Sequence, residues 1–216
     1  MKKATVIGAT GLIGKHLVEM LAQQPEYGKV TAISRRKVEF NNVKVENIVV
    51  DFANLAQFRD AFDGDILFSC LGTTKKQAGS VAAQRVVDVE YQLKVAELAA
   101  DNGVSEYFLV SSSGANGKSK NAYLQMKGEL EDKVTQLKFK RICIFQPSLL
   151  LGEREGFRFG EKLGSWILPT LCRLPLLKRY KPIFGEQVAT KMCQESLKLK
   201  TGMQRFTLDA CFPDEI

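Results

Sequence analysis

The sequence predicts an α/β domain built on a doubly wound parallel sheet, with helices on both faces. Three observations carry this expectation. Short apolar, β-branched runs alternate with segments of helical period along most of the chain, the pattern of strands joined by crossovers. The first such run ends in Gly8-Ala9-Thr10-Gly11-Leu12-Ile13-Gly14, three glycines at a strand-to-helix turn. Finally, 216 residues that are 45% hydrophobic and 25% charged suffice for one well-buried core and require no second domain.

Lys2 to Ile7 reads as a short buried strand, and the glycines that follow have distinct tasks. Gly8 takes the unusual dihedrals of a tight turn, Gly11 lets the backbone approach a pyrophosphate, and Gly14 lets the next helix pack close on the sheet. Phosphates would rest on unpaired amides at the positive helix end, within a cradle formed by Gly8, Thr10, Gly11, Leu12, Ile13 and Gly14. The helix is expected over Leu12 to Ala22 and a second strand over Val30 to Ser34, completing a Rossmann-like βαβ unit. In such a unit the end of the second strand faces the adenine ribose, where an acid binds the 2′-hydroxyl and cations accept a 2′-phosphate. Arg35 and Arg36 stand there, with Lys37 behind them and no carboxylate before Glu39. NADP, with NADPH preferred over NADH, is the cofactor this predicts; the other reading is a solvated basic turn.

Val43 to Val50 forms the expected third strand, ending at Asp51-Phe52, with Asn54 a candidate cap for the helix that follows. Asp65 to Ser69 is the fourth strand and opens into Cys70-Leu71-Gly72-Thr73-Thr74, whose glycine would let the loop pass beneath a cofactor's ribose and phosphates. After Gly79 and Ser80, a helical pattern runs from Val81 to Asn102, with Val86, Val89, Leu93, Ala96 and Ala100 on one face and Gly103 closing it. Tyr107 to Val110 is the fifth strand and leads into Ser111-Ser112-Ser113-Gly114. A helix over Asn121 to Leu137 and a sixth strand over Arg141 to Phe145 follow. Beyond Pro147 the pattern changes: Gly152 to Gly160 is rich in glycine and charge, Leu163 to Leu177 is apolar and Tyr180 to Phe184 is extended. Residues 152–184 are expected to contribute most of a small C-terminal substrate lobe on a single domain, 1–216, before a helix over Glu186 to Leu199 and a strand over Arg205 to Leu208.

Composition removes several function classes. The net charge is +7, but the Lys and Arg residues are scattered and form no stripe interleaved with aromatics, so nucleic acid is not an expected partner. The five cysteines are far apart and odd in number, with no CxxC, which indicates neither a disulfide framework nor a zinc site; no metal is expected. The single histidine, His16, falls on the first helix, against a serine–histidine hydrolase. The stretch from Leu163 to Leu177 is too short for a bilayer and is broken by Pro169, Arg173 and Pro175. With residues 1–20 forming a glycine loop and no signal pattern, a cytoplasmic protein is expected, without a membrane partner.

Tyr123 and Lys127 stand four apart, one above the other on the helix after the fifth strand. The pair is weak evidence alone; its place eleven residues after Ser112 and downstream of an N-terminal GxxGxxG gives it weight. The chain resembles the atypical short-chain dehydrogenases/reductases, and among them the Tat-interacting, HTATIP2-like oxidoreductases. The similarity runs over nearly the whole length, through Gly8 to Gly14, Cys70 to Thr74, Ser111-Ser112, and Tyr123-Leu124-Gln125-Met126-Lys127-Gly128-Glu129. The resemblance implies that Tyr123 protonates a carbonyl oxygen, that Lys127 supports it electrostatically and binds the nicotinamide ribose, and that a serine, Ser112 or its neighbours Ser111 and Ser113, orients the carbonyl. A carbonyl accepting hydride develops negative charge on oxygen, so a donor must sit there. A free phenol ionises near pH 10, and working near neutrality takes roughly 4 kcal/mol from nearby positive charge.

The resemblance also implies that Asp51 and Phe52 lie near the adenine, with helix capping the other reading for the acid, and that Leu71, Gly72, Thr73, Ser111 and Pro147 contact the cofactor. Gln146-Pro147 reads equally as a loop start. The asparagine of many relatives is not evident, since Asp88 stands in the helix from Val81, which leaves a proton relay open. Two functions remain: an NADPH-dependent reductase of a small carbonyl substrate, or an NADP(H)-sensing regulator that binds a protein partner without turnover. The Tyr/Lys/Ser set favours the enzyme. Oligomeric state stays open.

Overall fold

The computed structural model describes residues 1–152 and 179–214. Its strands are β1 (Lys2–Ile7), β2 (Tyr27–Ser34), β3 (Val45–Val49), β4 (Ile66–Ser69), β5 (Glu106–Val110), β6 (Arg141–Gln146), β7 (Leu150–Leu151), β8 (Ile183–Phe184) and β9 (Gly202–Thr207). Seven of them form one sheet in the order β3-β2-β1-β4-β5-β6-β9, every neighbouring pair parallel, while β7 and β8 make a separate short parallel pair. The helices are α1 (Gly14–Gln23), α2 (Lys75–Ala78), α3 (Val81–Arg85), α4 (Gln92–Asp101), α5 (Ala122–Val134) and α6 (Gly185–Ser196), with a kinked 3₁₀ segment at Phe52–Phe62.

The strand order follows from burial. The last four residues of β1 and β5 and all of β4 and β6 are buried, as strands covered on both faces must be, whereas the edge strands β3 and β9 are half-exposed. Alternation along each strand then sorts the side chains. Val6, Phe68, Phe108 and Cys143 pack under Leu17 and Leu21 of α1 and Val188 and Met192 of α6. Ile7, Leu67, Leu109 and Ile144 pack on the other face under Val95 and Ala99 of α4 and Leu130 and Val134 of α5. Each fully buried Leu or Phe in these layers contributes about 1.5–3 kcal/mol. The N-terminal ends of the strands are held by Arg141, 1% exposed, which donates to Glu106 at 3.2 Å, Gln204 at 2.9 Å and the Glu195 carbonyl at 2.9 Å. A buried guanidinium is stable there because its donors are matched.

The structure adjusts several expected boundaries. Helix α1 starts at Gly14, since residues before it still belong to the glycine turn. The helical pattern from Val81 is divided: Val86–Tyr91 forms a π-helical stretch between α3 and α4, and the wider turn brings both Asp88 and Val89 inward. Asp51, not Asn54, caps the 3₁₀ segment, accepting from the Ala53 amide at 2.9 Å while Asn54 Nδ2 donates to its carboxylate at 2.6 Å. The last strand begins at Gly202. Residues 153–178, where most of the substrate lobe was expected, lie outside the described residues. No helix among the described residues is long and apolar enough to cross a membrane.

Candidate cofactor and active site

The strand order reverses between β1 and β4, the switch point of a doubly wound sheet, where ligands bind outside the carboxyl ends of the strands. Gly8 and Cys70 meet there. Gly8 has φ +73°, and a Cβ on it would stand 2.5 Å from the Cys70 carbonyl carbon, so the turn excludes any side chain. At Gly14 a Cβ would fall 2.8 Å from the Gly8 carbonyl carbon, which fixes how closely α1 approaches the turn. Gly11 differs: among the described residues its Cβ would meet nothing nearer than the Gly8 oxygen at 3.2 Å. The protein's own packing therefore explains Gly8 and Gly14 better than Gly11. No side chain caps α1 at Ile13; the Lys15 amide bonds back to the Gly11 carbonyl at 3.2 Å, and the helix start presents its positive end to this turn. Thr10 is exposed and Ile13 is buried. The Leu12 side chain is enclosed from the C-terminal half: a Cβ on Gly185 would come within 2.8 Å of Leu12 Cγ, and one on Gly152 within 3.2 Å.

Arg35 and Arg36 stand exposed immediately beyond β2, and neither forms an ion pair among the described residues. Their turn is held by a buried serine and a half-buried asparagine. Ser34 Oγ donates to the Arg36 carbonyl at 2.5 Å, and Asn47 on β3 donates to Ser34 Oγ at 2.8 Å while accepting from the Val38 amide at 2.9 Å. Sequence reasoning missed Asn47, whose only signal is a polar side chain inside a strand pattern. Asp51, fully exposed, has its carboxyl held below the ordinary range by the Ala53 amide and then by Asn54. Phe52 is buried against Tyr91, ring centroids 5.6 Å apart, so its ring belongs to the core.

Helix α5 and the serine loop after β5 stand at the same end of the sheet. Asn121 caps α5 by accepting from the Tyr123 and Leu124 amides at 3.0 and 3.2 Å, which sets Tyr123 in the first turn. Tyr123 is 39% exposed and its hydroxyl makes no hydrogen bond among the described residues. One turn below, Lys127 is only 4% exposed, and its ammonium donates to the Val110 carbonyl at 3.3 Å. A buried ammonium with three donors and one long bond has capacity for further acceptors, as ribose hydroxyls would supply. The loop from Ser111 to Asn121 is seated on α5 through Gly128: a Cβ there would come within 2.5 Å of Asn116 Cα and closer still to Gly117 N. The Asn116 amide donates to the Leu124 carbonyl at 3.0 Å.

The three serines are not equivalent. Ser111 is buried and its hydroxyl donates to Glu131, also buried. Ser112 is half-buried, with a single 3.4 Å bond to the Ser113 carbonyl. The Ser113 amide donates to the carbonyl of Pro147, itself buried, which joins the serine loop to the exit of β6.

Asp88 shapes the loop after β4. Fully buried in the π-helical stretch, it accepts from the Thr73 amide at 2.7 Å and from Gln84 Nε2 at 3.1 Å. Gly72 passes over Asp88 and Lys127 together, since a Cβ on it would be 3.6 Å from Asp88 Oδ1 and 3.9 Å from Lys127 Nζ. Leu71 is half-buried against the face that α4 and α5 cover. The Cys70 thiol is pushed up to about 12 by burial, only partly offset by the charge of Lys127, and so stays protonated beside the site.

Comparison with known proteins agrees with this fold. Residues 8–161 match the family described as NAD(P)H-binding. Protein HTATIP2 of Rattus norvegicus is 44% identical over 167 residues, 76% of this chain and 69% of the rat protein. Protein FMP52-1, mitochondrial, of Scheffersomyces stipitis is 34% identical over 203 residues, 90% of this chain and 89% of the yeast protein. Among solved structures, MoeE5 in complex with UDP-glucuronic acid and NAD is similar at TM-score 0.70 and 16% identity, over 95% of this chain and 76% of that one. A putative NAD-dependent epimerase/dehydratase from Bacillus halodurans is similar at TM-score 0.67 and 18% identity, over 94% and 92%. These two likenesses concern the fold alone. The FMP52 relatives of several fungi are named mitochondrial, which corrects the cytoplasmic expectation. That expectation rested on the pattern of residues 1–20, and a cellular address is read by receptors, separately from the physics of a core.

Proposed function

The chain belongs to the NAD(P)H-binding family, and from that premise we propose that it is an NADP(H)-dependent oxidoreductase that reduces a small carbonyl compound. The observation that carries the reading is the placing of an exposed Tyr123, unbonded among the described residues, one helical turn above a buried Lys127 with one long bond among them, at the same end of the sheet as the glycine turn. The reduced nicotinamide supplies the hydride. The glycine turn and the first amides of α1 hold the pyrophosphate, Arg35 and Arg36 take the 2′-phosphate, and Gly72 carries the loop beneath the ribose. Lys127 binds the ribose hydroxyls with the donors that Val110 leaves free. Tyr123 donates a proton to the substrate oxygen as negative charge develops, and Ser112 orients that oxygen.

The test compares Tyr123→Phe with Lys127→Met in NADPH-dependent reduction of aldehydes, ketones and quinones, beside NADPH titrations. Tyr123→Phe should lose about a hundred- to ten-thousand-fold in turnover while keeping cofactor affinity. Lys127→Met should lose both. Near-normal turnover in Tyr123→Phe removes the proposed acid, whereas a wild-type protein that binds NADPH and reduces none of these compounds leaves a protein that senses the cofactor.

A further inference from the structure

Helix α5 carries a third polar side chain in register with Tyr123 and Lys127. Glu131 lies four residues past Lys127, so the three share one face, a turn apart, and lead from the exposed Tyr123 into the protein. Glu131 is 4% exposed, and its carboxylate is surrounded by donors. It accepts from the Ser111 hydroxyl, from Gln146 Nε2 at 2.9 and 3.0 Å through its two oxygens, and from Arg205 Nη2 at 3.3 Å. Gln146 is itself held in that orientation by Thr207 Oγ1, which donates to its Oε1 at 2.9 Å. The donors come from three separate places: the loop after β5, the last residue of β6, and β9.

A buried carboxylate is unfavourable unless fully matched, and an apolar side chain of similar volume is often as stable in its place. What the carboxylate achieves here that an apolar group would not is directional. It draws the Ser111 hydroxyl inward and anchors the start of the loop whose next amides bond to the β6 exit: Ser111 N to the Phe145 carbonyl at 2.7 Å and Ser113 N to the Pro147 carbonyl at 3.0 Å. Ser112, between them, has among the described residues only a 3.4 Å hydroxyl bond to the neighbouring Ser113 carbonyl.

We propose that Glu131 is a positioning residue for the serine loop: by holding Ser111 inward it fixes Ser112 as the hydroxyl presented to the substrate. The presentation to substrate rests on the reductase reading above, whereas the holding of the loop does not. Two measurements separate them. In Glu131→Gln, which keeps shape and removes charge, amide hydrogen exchange at Ser111 and Ser113 should accelerate about tenfold relative to β1 and β4. NADPH affinity should stay within about twofold, while kcat falls about ten- to a hundredfold. Ser111→Ala removes the hydroxyl itself, which the Gln amide oxygen still has capacity to accept, and should reproduce part of both effects without touching the carboxylate; if Glu131→Gln fails to fold, this variant carries the test. Combining the two should lower kcat no further than the worse single variant, because both act through one contact. Unchanged exchange in the serine loop, or losses in kcat that multiply in the combined variant, would overturn the proposal. Should the wild-type protein reduce no carbonyl compound, the exchange result still decides whether Glu131 holds the loop, and the reductase reading alone fails.

Discussion

Gly128→Ala offers a quantitative trial of how the serine loop is seated on α5. In a helix, alanine is ordinarily the better residue, worth about 1 kcal/mol over glycine. Here the new Cβ would stand 2.5 Å from Asn116 Cα and closer still to the Asn116 carbonyl carbon and Gly117 N, all of them backbone atoms. Carbon atoms settle at about 3.5–4.0 Å, so the loop must retreat by about 1 Å or more. Overpacking of this kind costs about 1–3 kcal/mol. The retreat also breaks the Asn116 to Leu124 hydrogen bond of 3.0 Å, worth about 0.5–1.5 kcal/mol. After the helix gain is deducted, the net loss is about 0.5–3.5 kcal/mol, which for a chain of this size lowers Tm by about 1–14 °C. Gly117→Ala is the matched control, because its Cβ would press only on the end of the Asp132 side chain at 3.0 Å, which can swing aside, and would meet the α5 backbone at 3.7 Å, an ordinary contact. Its effect should stay within about 0.5 kcal/mol. Thermal denaturation of the three proteins decides it. A Gly128→Ala protein that melts at or above the wild-type temperature would refute the account of how the loop is held.

Replacing Arg35 and Arg36 together by alanine should weaken NADPH binding about ten- to a hundredfold and change NADH binding little, since only the former carries the 2′-phosphate; calorimetry with both cofactors checks this, and equal losses would show that the arginines act otherwise. A second trial uses pH. Arg85, bonded to Glu129 at 2.5 and 2.6 Å, and then Lys133 hold the Glu129 carboxyl down at about 2. A depressed carboxyl contributes stability that is complete above its unfolded value of about 4.3 and is lost as the pH falls through the folded value. Glu129→Gln should therefore destabilise the protein by on the order of 1 kcal/mol at pH 7, a partly exposed pair, and by progressively less from about pH 4 towards pH 2. Denaturant titrations across that range test the sign, and a constant deficit would contradict it.

The sequence by itself determined the local order of the fold. The strands β1, β4, β5 and β6 are continuous apolar runs because both their faces are covered, and the glycine turn is legible because Gly8 needs a left-handed conformation that sterics deny to other residues. Tyr123 and Lys127 were likewise visible, because a spacing of four is a helix face. Tertiary structure alone decided the matters that depend on partners distant in the chain. The pattern from Val81 reads as one helix, yet Asp88 reaches back to the Thr73 amide and the helix widens into a π turn around it. Asp51 and Asn54 are both competent caps, and the geometry of the turn gave the task to Asp51. Three consecutive serines look alike until Glu131, twenty residues away, takes the hydroxyl of Ser111. A periodicity is written by the backbone's own geometry, so neighbours in sequence suffice to read it; a buried donor finds its acceptor across the sheet, and that pairing exists only once the strands have been set side by side.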